Sequence, residues 1–201
     1  MREHVQSPKR FLNALLTIVS GAVVSSFFLF STASAAPTLQ TVYRLYNPYT
    51  GLHLQTIDSN EDSALTTAVI LDGKPYVWKN ETPTFDAYAA TSNTCPTGTE
   101  QVYRVYNHRN GDHLLTADSN EAAILTQSPT LKNDWSSEGI GFCAYATQVA
   151  GTIPVYRLYN TANGEHFLTA DQTEAYGLNG VHNWHIETAD NGGVAFYANP
   201  Y

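Results

Sequence analysis

Cysteine is scarce in this 201-residue chain: Cys95 and Cys143 are its only two. Neither has histidine or a second thiol nearby at ligand spacing, which argues against a thiolate metal centre or a catalytic thiol. Positive charge is also thin, with 10 Lys and Arg against 18 Asp and Glu and a net charge of −8. Only seven basic residues follow residue 36, against seventeen acidic ones. Such a body has little with which to displace counterions from a phosphate backbone, so nucleic acid is excluded as a partner. Charged residues make up just 14% of the chain, whereas aromatic ones reach 12%, including 13 Tyr. Those rings need burial or a binding surface, which a disordered tail does not provide. The chain also lacks G-x-S-x-G, H-E-x-x-H and a phosphate-cradling glycine loop. No catalytic residue, metal ligand set or cofactor is therefore expected.

A single long apolar run is present. Residues 11–30 carry no charge, follow Arg2, Lys9 and Arg10, and lead into Ser-Thr-Ala-Ser-Ala-Ala-Pro. Ala33 and Ala35 offer the small side chains of a signal-peptidase site, so residues 1–35 read as a signal peptide. The run is also long enough to stay as an uncleaved anchor. Either way the body is expected outside the cytoplasm, secreted or at the cell surface, with no membrane insertion after cleavage. In an oxidising compartment, the even cysteine count reads as one disulfide, Cys95–Cys143.

The rest of the chain repeats itself. Val42-Tyr43-Arg44-Leu45-Tyr46-Asn47 recurs from Val102 and again from Val155, at spacings of 60 and 53 residues. A Gly (51, 111, 164), a His (53, 113, 166), a Thr (56, 116, 169), an Asp (58, 118, 171) and a Glu (61, 121, 174) follow each copy at constant intervals. Each unit then has a Trp with a Glu three residues later: Trp78 and Glu81, Trp135 and Glu138, Trp184 and Glu187. Each unit closes on Tyr-Ala, at Tyr88, Tyr145 and Tyr197. The division is a short linker, 36–41, and one domain, 42–201, with units 42–90, 102–146 and 155–201.

Within a unit, the VYRLYN stretch alternates as a strand and a Gly-ended turn returns it as a hairpin. Asp followed by Glu three residues later matches a capping box that opens a short helix. The Trp region and the closing segment supply two further strands. The expected fold is mainly β: three pseudo-equivalent four-stranded repeats form a β-trefoil-like closed domain with short helices inserted.

The pattern YRLYN…GxHxxT…W…E…YA resembles a repeat family of secreted bacterial proteins that is itself a repeat domain of unknown function. The resemblance covers residues 42–198. It implies an exported, bacterial accessory module that touches cell wall or glycan, and it brings no catalytic residues with it.

A residue present in all three units serves something the units share. Arg44, Arg104 and Arg157 lie mid-strand among apolar neighbours. Paired with Glu81, Glu138 and Glu187, of their own or an adjacent unit, they would be structural. His53, His113 and His166 either hold their hairpins or touch sugar hydroxyls. Trp78, Trp135 and Trp184 are either core rings or platforms on which sugar rings stack. Tyr49, Arg109 and Asn163 sit in the turns that differ between units, where recognition normally varies. Those nine His, Trp and turn residues are the candidate ligand contacts. The expected function is a monomeric, non-catalytic module that binds carbohydrate or cell-envelope polymer through three related sites acting together. A protein-partner binder or hydrolase inhibitor is the alternative. A small glycan hydrolase using Glu81, Glu138 or Glu187 is the third reading.

Overall fold

The computed structural model describes residues 36–71, 74–187 and 192–201. The expected signal peptide lies outside the described residues. Among them, no helix is long and apolar enough to cross a membrane.

The described chain is mainly β with three short helices. The first sequence unit contains β2 (Tyr43–Asn47), β3 (Leu52–Thr56), α1 (Ser59–Thr66), β4 (Val69–Leu71), β5 (Lys74–Tyr76), β6 (Lys79–Glu81) and β7 (Phe85–Tyr88), preceded by β1 (Leu39–Thr41). The second contains β8 (Glu100–Asn107), β9 (His113–Thr116), α2 (Ser119–Gln127) and β10 (Trp135–Ala144). The third contains β11 (Ile153–Asn160), β12 (Glu165–Thr169), α3 (Gln172–Leu178), β13 (Trp184–Ile186) and β14 (Val194–Pro200). The strands form open sheets. One runs β12-β11-β14-β7-β10-β8-β9, with β1 on β7 and β13 on β11; a second runs β3-β2-β6; β4 and β5 form a hairpin found in the first unit alone. In the second unit the Trp strand and the closing strand are one continuous β10, bent by irregularities at Ser137/Gly139 and Ile140/Phe142.

Local chemistry explains the recurring pieces. In each hairpin turn the Asn side chain accepts a backbone N–H two residues on, at Tyr49, Arg109 and Ala162, each at 2.9 Å. The same Asn's carbonyl accepts from Gly51, Gly111 or Gly164, whose φ of 73 to 85° a side chain would resist. At the helices, Asp58, Asp118 and Asp171 are N-caps, each accepting a first-turn N–H at 2.8 Å. The reciprocal half of the expected capping box is absent. The N–H of each Asp instead meets the buried hydroxyl of Thr56, Thr116 or Thr169, at 3.0 Å. That frees the three Glu for another role.

Strict two-residue alternation fails in the VYRxYN strands. Val102 and Val105 are both fully buried although three residues apart, as are Val155 and Leu158. The strand bends between two cores. Val42, Val102 and Val155 enter a central cluster with Phe85, Phe142 and Phe196. Val105 joins Leu114, Ala122 and Trp135, and Leu158 joins Phe167, Ala175 and Trp184, in clusters local to their units. A ladder irregularity at Val155/Tyr156 accommodates the change of direction.

The central cluster also corrects the closing motif. The Tyr-Ala pairs of the first two units are out of step with the third by two residues. The equivalent triplets are Phe85-Asp86-Ala87, Phe142-Cys143-Ala144 and Phe196-Tyr197-Ala198, all three Phe and all three Ala being at most 1% exposed. The three rings meet edge to face, with centroids 5.8, 5.9 and 5.6 Å apart. Their strands also meet pairwise: Cys143 opposite Tyr88, Asn199 opposite Asp86, and Tyr145 bridged to Tyr197.

Cys95 and Cys143 form a disulfide across 48 residues, with the Cys143 end buried in the sheet. Reduction leaves both thiols in place and removes only the cross-link. It is expected to lower stability by about 2–3 kcal/mol, because the unfolded chain regains loop freedom. Thermal melts with and without reductant check this, and identical midpoints would contradict it.

Candidate functional site

Each of the three arginines is held between two carboxylates. Arg104 donates two parallel hydrogen bonds to Glu61, at 2.7 and 2.9 Å, and a third from Nε to Glu138 at 2.8 Å. Arg157 does the same with Glu121, at 2.7 and 2.9 Å, and its Nε lies 2.7 Å from Glu187. Arg44 reaches Glu174 at 2.8 Å, and its Nε lies 3.0 Å from Glu81. The Nε contacts of Arg44 and Arg157 are close but poorly aligned, so they are ion pairs rather than hydrogen bonds. The pairing has a cyclic order. Each Arg takes the Glu that follows Trp in its own unit. It also takes the helix Glu of another unit: the first for Arg104, the second for Arg157, the third for Arg44. The arginine side chains are 10–16% exposed. Although burial opposes ionisation of Glu61 and Glu121, their hydrogen bonds from Arg104 and Arg157 hold both below the usual carboxylate range.

The histidines join these clusters from a second strand. Their Nε2 atoms face the same glutamates, at 3.4 Å from Glu81 for His53, 3.8 Å from Glu138 for His113 and 4.0 Å from Glu187 for His166. On the other side of the ring, His53 Nδ1 lies 2.6 Å from Glu165, and His166 Nδ1 lies 2.6 Å from Asp112. Both acids are completely buried. Each stands directly before a His in sequence, and at that position the first unit carries Leu52. Leu52 Cδ1 packs 3.6 Å from the Cβ position of Gly111 and offers no acceptor, and His113 Nδ1 is buried without a partner.

The result is two histidines with opposite behaviour. Burial alone would depress His53, but its hydrogen bonds to Glu165 and Glu81 and their charges raise it to about 9. Burial pushes His113 down, helped by the Arg104 charge. Glu81 is lowered, first by its hydrogen bond with His53. Protonated His53 is favoured by the fold. Its contribution is complete below pH 6.5, is lost as pH rises to about 9, and amounts to roughly 3 kcal/mol at most. His113 is harder to protonate in the fold than in the unfolded chain, which takes up a proton below about pH 6.5, so stability falls on the acid side. Urea unfolding from pH 5 to 10 is expected to show greatest stability near pH 6.5, with an alkaline decline that Glu165→Gln reduces, Glu81 still favouring the protonated ring. A flat alkaline limb in the wild type would contradict this account of His53.

A cleft opens beside one of these clusters. It has a volume of about 750 Å³ and lies between the start of α1 and the bend of β10. Arg104, Glu61 and Glu138 form one charged part of its lining. Asp58, Asn60 and Asn93 add polar groups, while Ile57, Ala64, Ala89 and Ile140 add small apolar surface.

The sequence-derived contact residues are distributed differently from this cleft. His53, His113 and His166 are largely buried, with side chains 13–17% exposed. Trp135 and Trp184 are 9% exposed and sit in the local cores, and Trp78 is half-buried. Asn163 binds the Glu165 backbone N–H and side chain, at 3.1 and 3.3 Å, and Asn110 donates to the carbonyls of Asn163 and Gly164. Arg109 is exposed and pairs with Asp134 at 2.7 Å. Tyr49 is half exposed and stacks on Tyr76, with centroids 5.3 Å apart. Of the cleft residues on α1 and β10, sequence singles out only Glu61, as part of a capping box with Asp58, and Glu138, as a structural residue. Only the recurrence of Glu61, Glu121 and Glu174 hinted at the rest.

The family described as a domain of unknown function (DUF5648) matches residues 25–95 and 41–199. The chain belongs to that family. No curated protein and no solved structure matches it.

Proposed function

We propose that this protein is a secreted, non-catalytic binding module for carbohydrate or cell-envelope polymer. In this reading three repeats surround a pseudo-threefold axis in a closed, trefoil-like body. The cyclic Arg–Glu order supports closure, because Arg44 of the first unit binds Glu174 of the last, 130 residues away. The observation that carries the binding function is the cleft of about 750 Å³, where carboxylate, amide and hydroxyl groups sit among small apolar side chains. Hydrogen-bonding groups fixed in place against apolar patches suit a hydroxylated ring. A glycosidase needs one carboxyl kept protonated, and in the cleft Glu61 is held toward ionisation by its hydrogen bonds from Arg104.

Protein purified from residue 36 onward, mixed with cell walls and insoluble polysaccharides, is expected to co-sediment without releasing sugar. Released sugar would make it an enzyme. The second reading, a protein partner, is favoured by the first-unit hairpin, where Val69 and Ile70 are 48% and 68% exposed. It predicts no polysaccharide binding and capture of a protein.

A further inference from the structure

We propose that the module has one glycan site rather than three, the cleft between the first and second units, and that its ligand is an uncharged glycan. This rests on the binding-module reading above. The three inter-unit junctions share their Arg and Glu but differ in what surrounds them. Six residues after the N-cap Asp, the helix carries Ala64 at the first junction, Ile124 at the second and Gly177 at the third. Ala64 lines the cleft, whereas Ile124 presents a large side chain, 58% exposed, at the corresponding place on α2.

The opposite wall differs as well. Directly before each closing Phe stand Gly141, Ala195 and Thr84. At the junction of the third and first units the Thr84 hydroxyl crosses over and accepts the Ala170 backbone N–H at 3.2 Å, tying the two walls together. At the junction of the first and second units the corresponding residues are Gly141 and Ile57, and both line the cleft. A Cβ at Gly141 would lie 2.8 Å from Leu115 Cδ2, so a larger residue there would push that core side chain aside. At the first junction alanine takes the helix position and glycine stands where threonine ties the walls at the third, although Ile57 is larger than its counterparts Ala117 and Ala170. At the third the walls are bonded across, and at the second an isoleucine stands at the helix position that alanine occupies in the open cleft.

Charge narrows the ligand. The one guanidinium in the cleft, Arg104, is already shared by Glu61 and Glu138, and Asp58 adds a further negative group. An anionic polymer would meet net repulsion, while sugar hydroxyls can donate to the carboxylate and amide oxygens.

The test is calorimetric titration with soluble glucose-, mannose-, galactose- and N-acetylglucosamine-based oligosaccharides, with an oligogalacturonate as the anionic comparison. One neutral oligosaccharide is expected to bind with a stoichiometry of one. Ala64→Ile is expected to weaken it at least tenfold with an unchanged melting temperature, since α2 already carries isoleucine at that place. Ile124→Ala is expected to leave affinity unchanged. A stoichiometry of two or three, full affinity in Ala64→Ile, or preference for the oligogalacturonate would overturn the proposal while leaving the binding module standing. If no oligosaccharide binds while the protein still co-sediments with cell walls, this proposal falls and the binding module stands; if neither binds, both fall.

Discussion

Phe142→Ala is expected to cost about 3–5 kcal/mol, the range for removing a fully buried aromatic ring. The ring touches both of its counterparts, Phe85 at 5.8 Å and Phe196 at 5.6 Å, and it is wholly shielded from solvent. Its removal leaves a phenyl-sized void where the closing strands of all three units meet. Neighbouring side chains cannot easily collapse into it, because they belong to backbones already fixed by hydrogen bonds to one another. For a domain of this size the midpoint of thermal unfolding should fall by about 10 °C. Phe85→Ala and Phe196→Ala should have similar effects, and pairs of these changes should not add, since each deletion removes a contact that the next would also remove. A loss below about 1 kcal/mol would mean that the ring trio is not the junction of the fold.

Arg157→Ala is the second large effect, about 3 kcal/mol. The substitution leaves Glu121 and Glu187 without the cation that separates them, with His166 too distant, at 4.0 Å from Glu187, to replace it well. Removing one partner of a fully buried ion pair costs about 3–5 kcal/mol. The lower end applies here because the two glutamates are 25–30% exposed and water offsets part of the loss. Arg157→Lys should recover less than half. A single ammonium cannot bond Glu121 through two nitrogens and reach Glu187 through a third. Chemical unfolding of the three proteins decides the point. Equal stability of Arg157→Ala and the wild type would show that the ion pairs are incidental to the fold.

Much of the local structure was legible in the residues. The hairpin turns follow from an Asn that bonds forward and a Gly that accepts positive φ, and both are properties of five adjacent positions. The helix starts follow from Asp58, Asp118 and Asp171 in the same way. The disulfide followed from two cysteines and an expected oxidising compartment. Where alternation misled, at Val102 and Val105, the cause was a bend that sends one strand into two cores, and side-chain period carries no record of bends. The Tyr-Ala pairs do not mark equivalent positions, because the buried triplet is defined by rings that meet across the fold rather than by neighbours along the chain.

The candidate site divides along the same line. That each Arg pairs with the Glu after Trp was readable, since both recur at fixed spacing. That each Arg also takes a helix Glu from another unit was not, because the same carboxylate spacing satisfies a capping box equally well, and only the placement of Thr56, Thr116 and Thr169 removes that use. The contrast between His53 and His113 is similarly invisible in a repeat in which both are conserved copies of one position. It depends on whether the residue before the neighbouring His is Glu165 or Leu52. The sequence alone therefore determined the recurring units, their turns and caps and the mainly β character, because these depend on backbone preferences over a few bonds. Tertiary structure decided which carboxylate meets which cation, which rings share a core and where a cleft stays open. Those outcomes depend on contacts of a few ångströms between residues as much as 130 positions apart, where charge and burial act through space rather than along the chain.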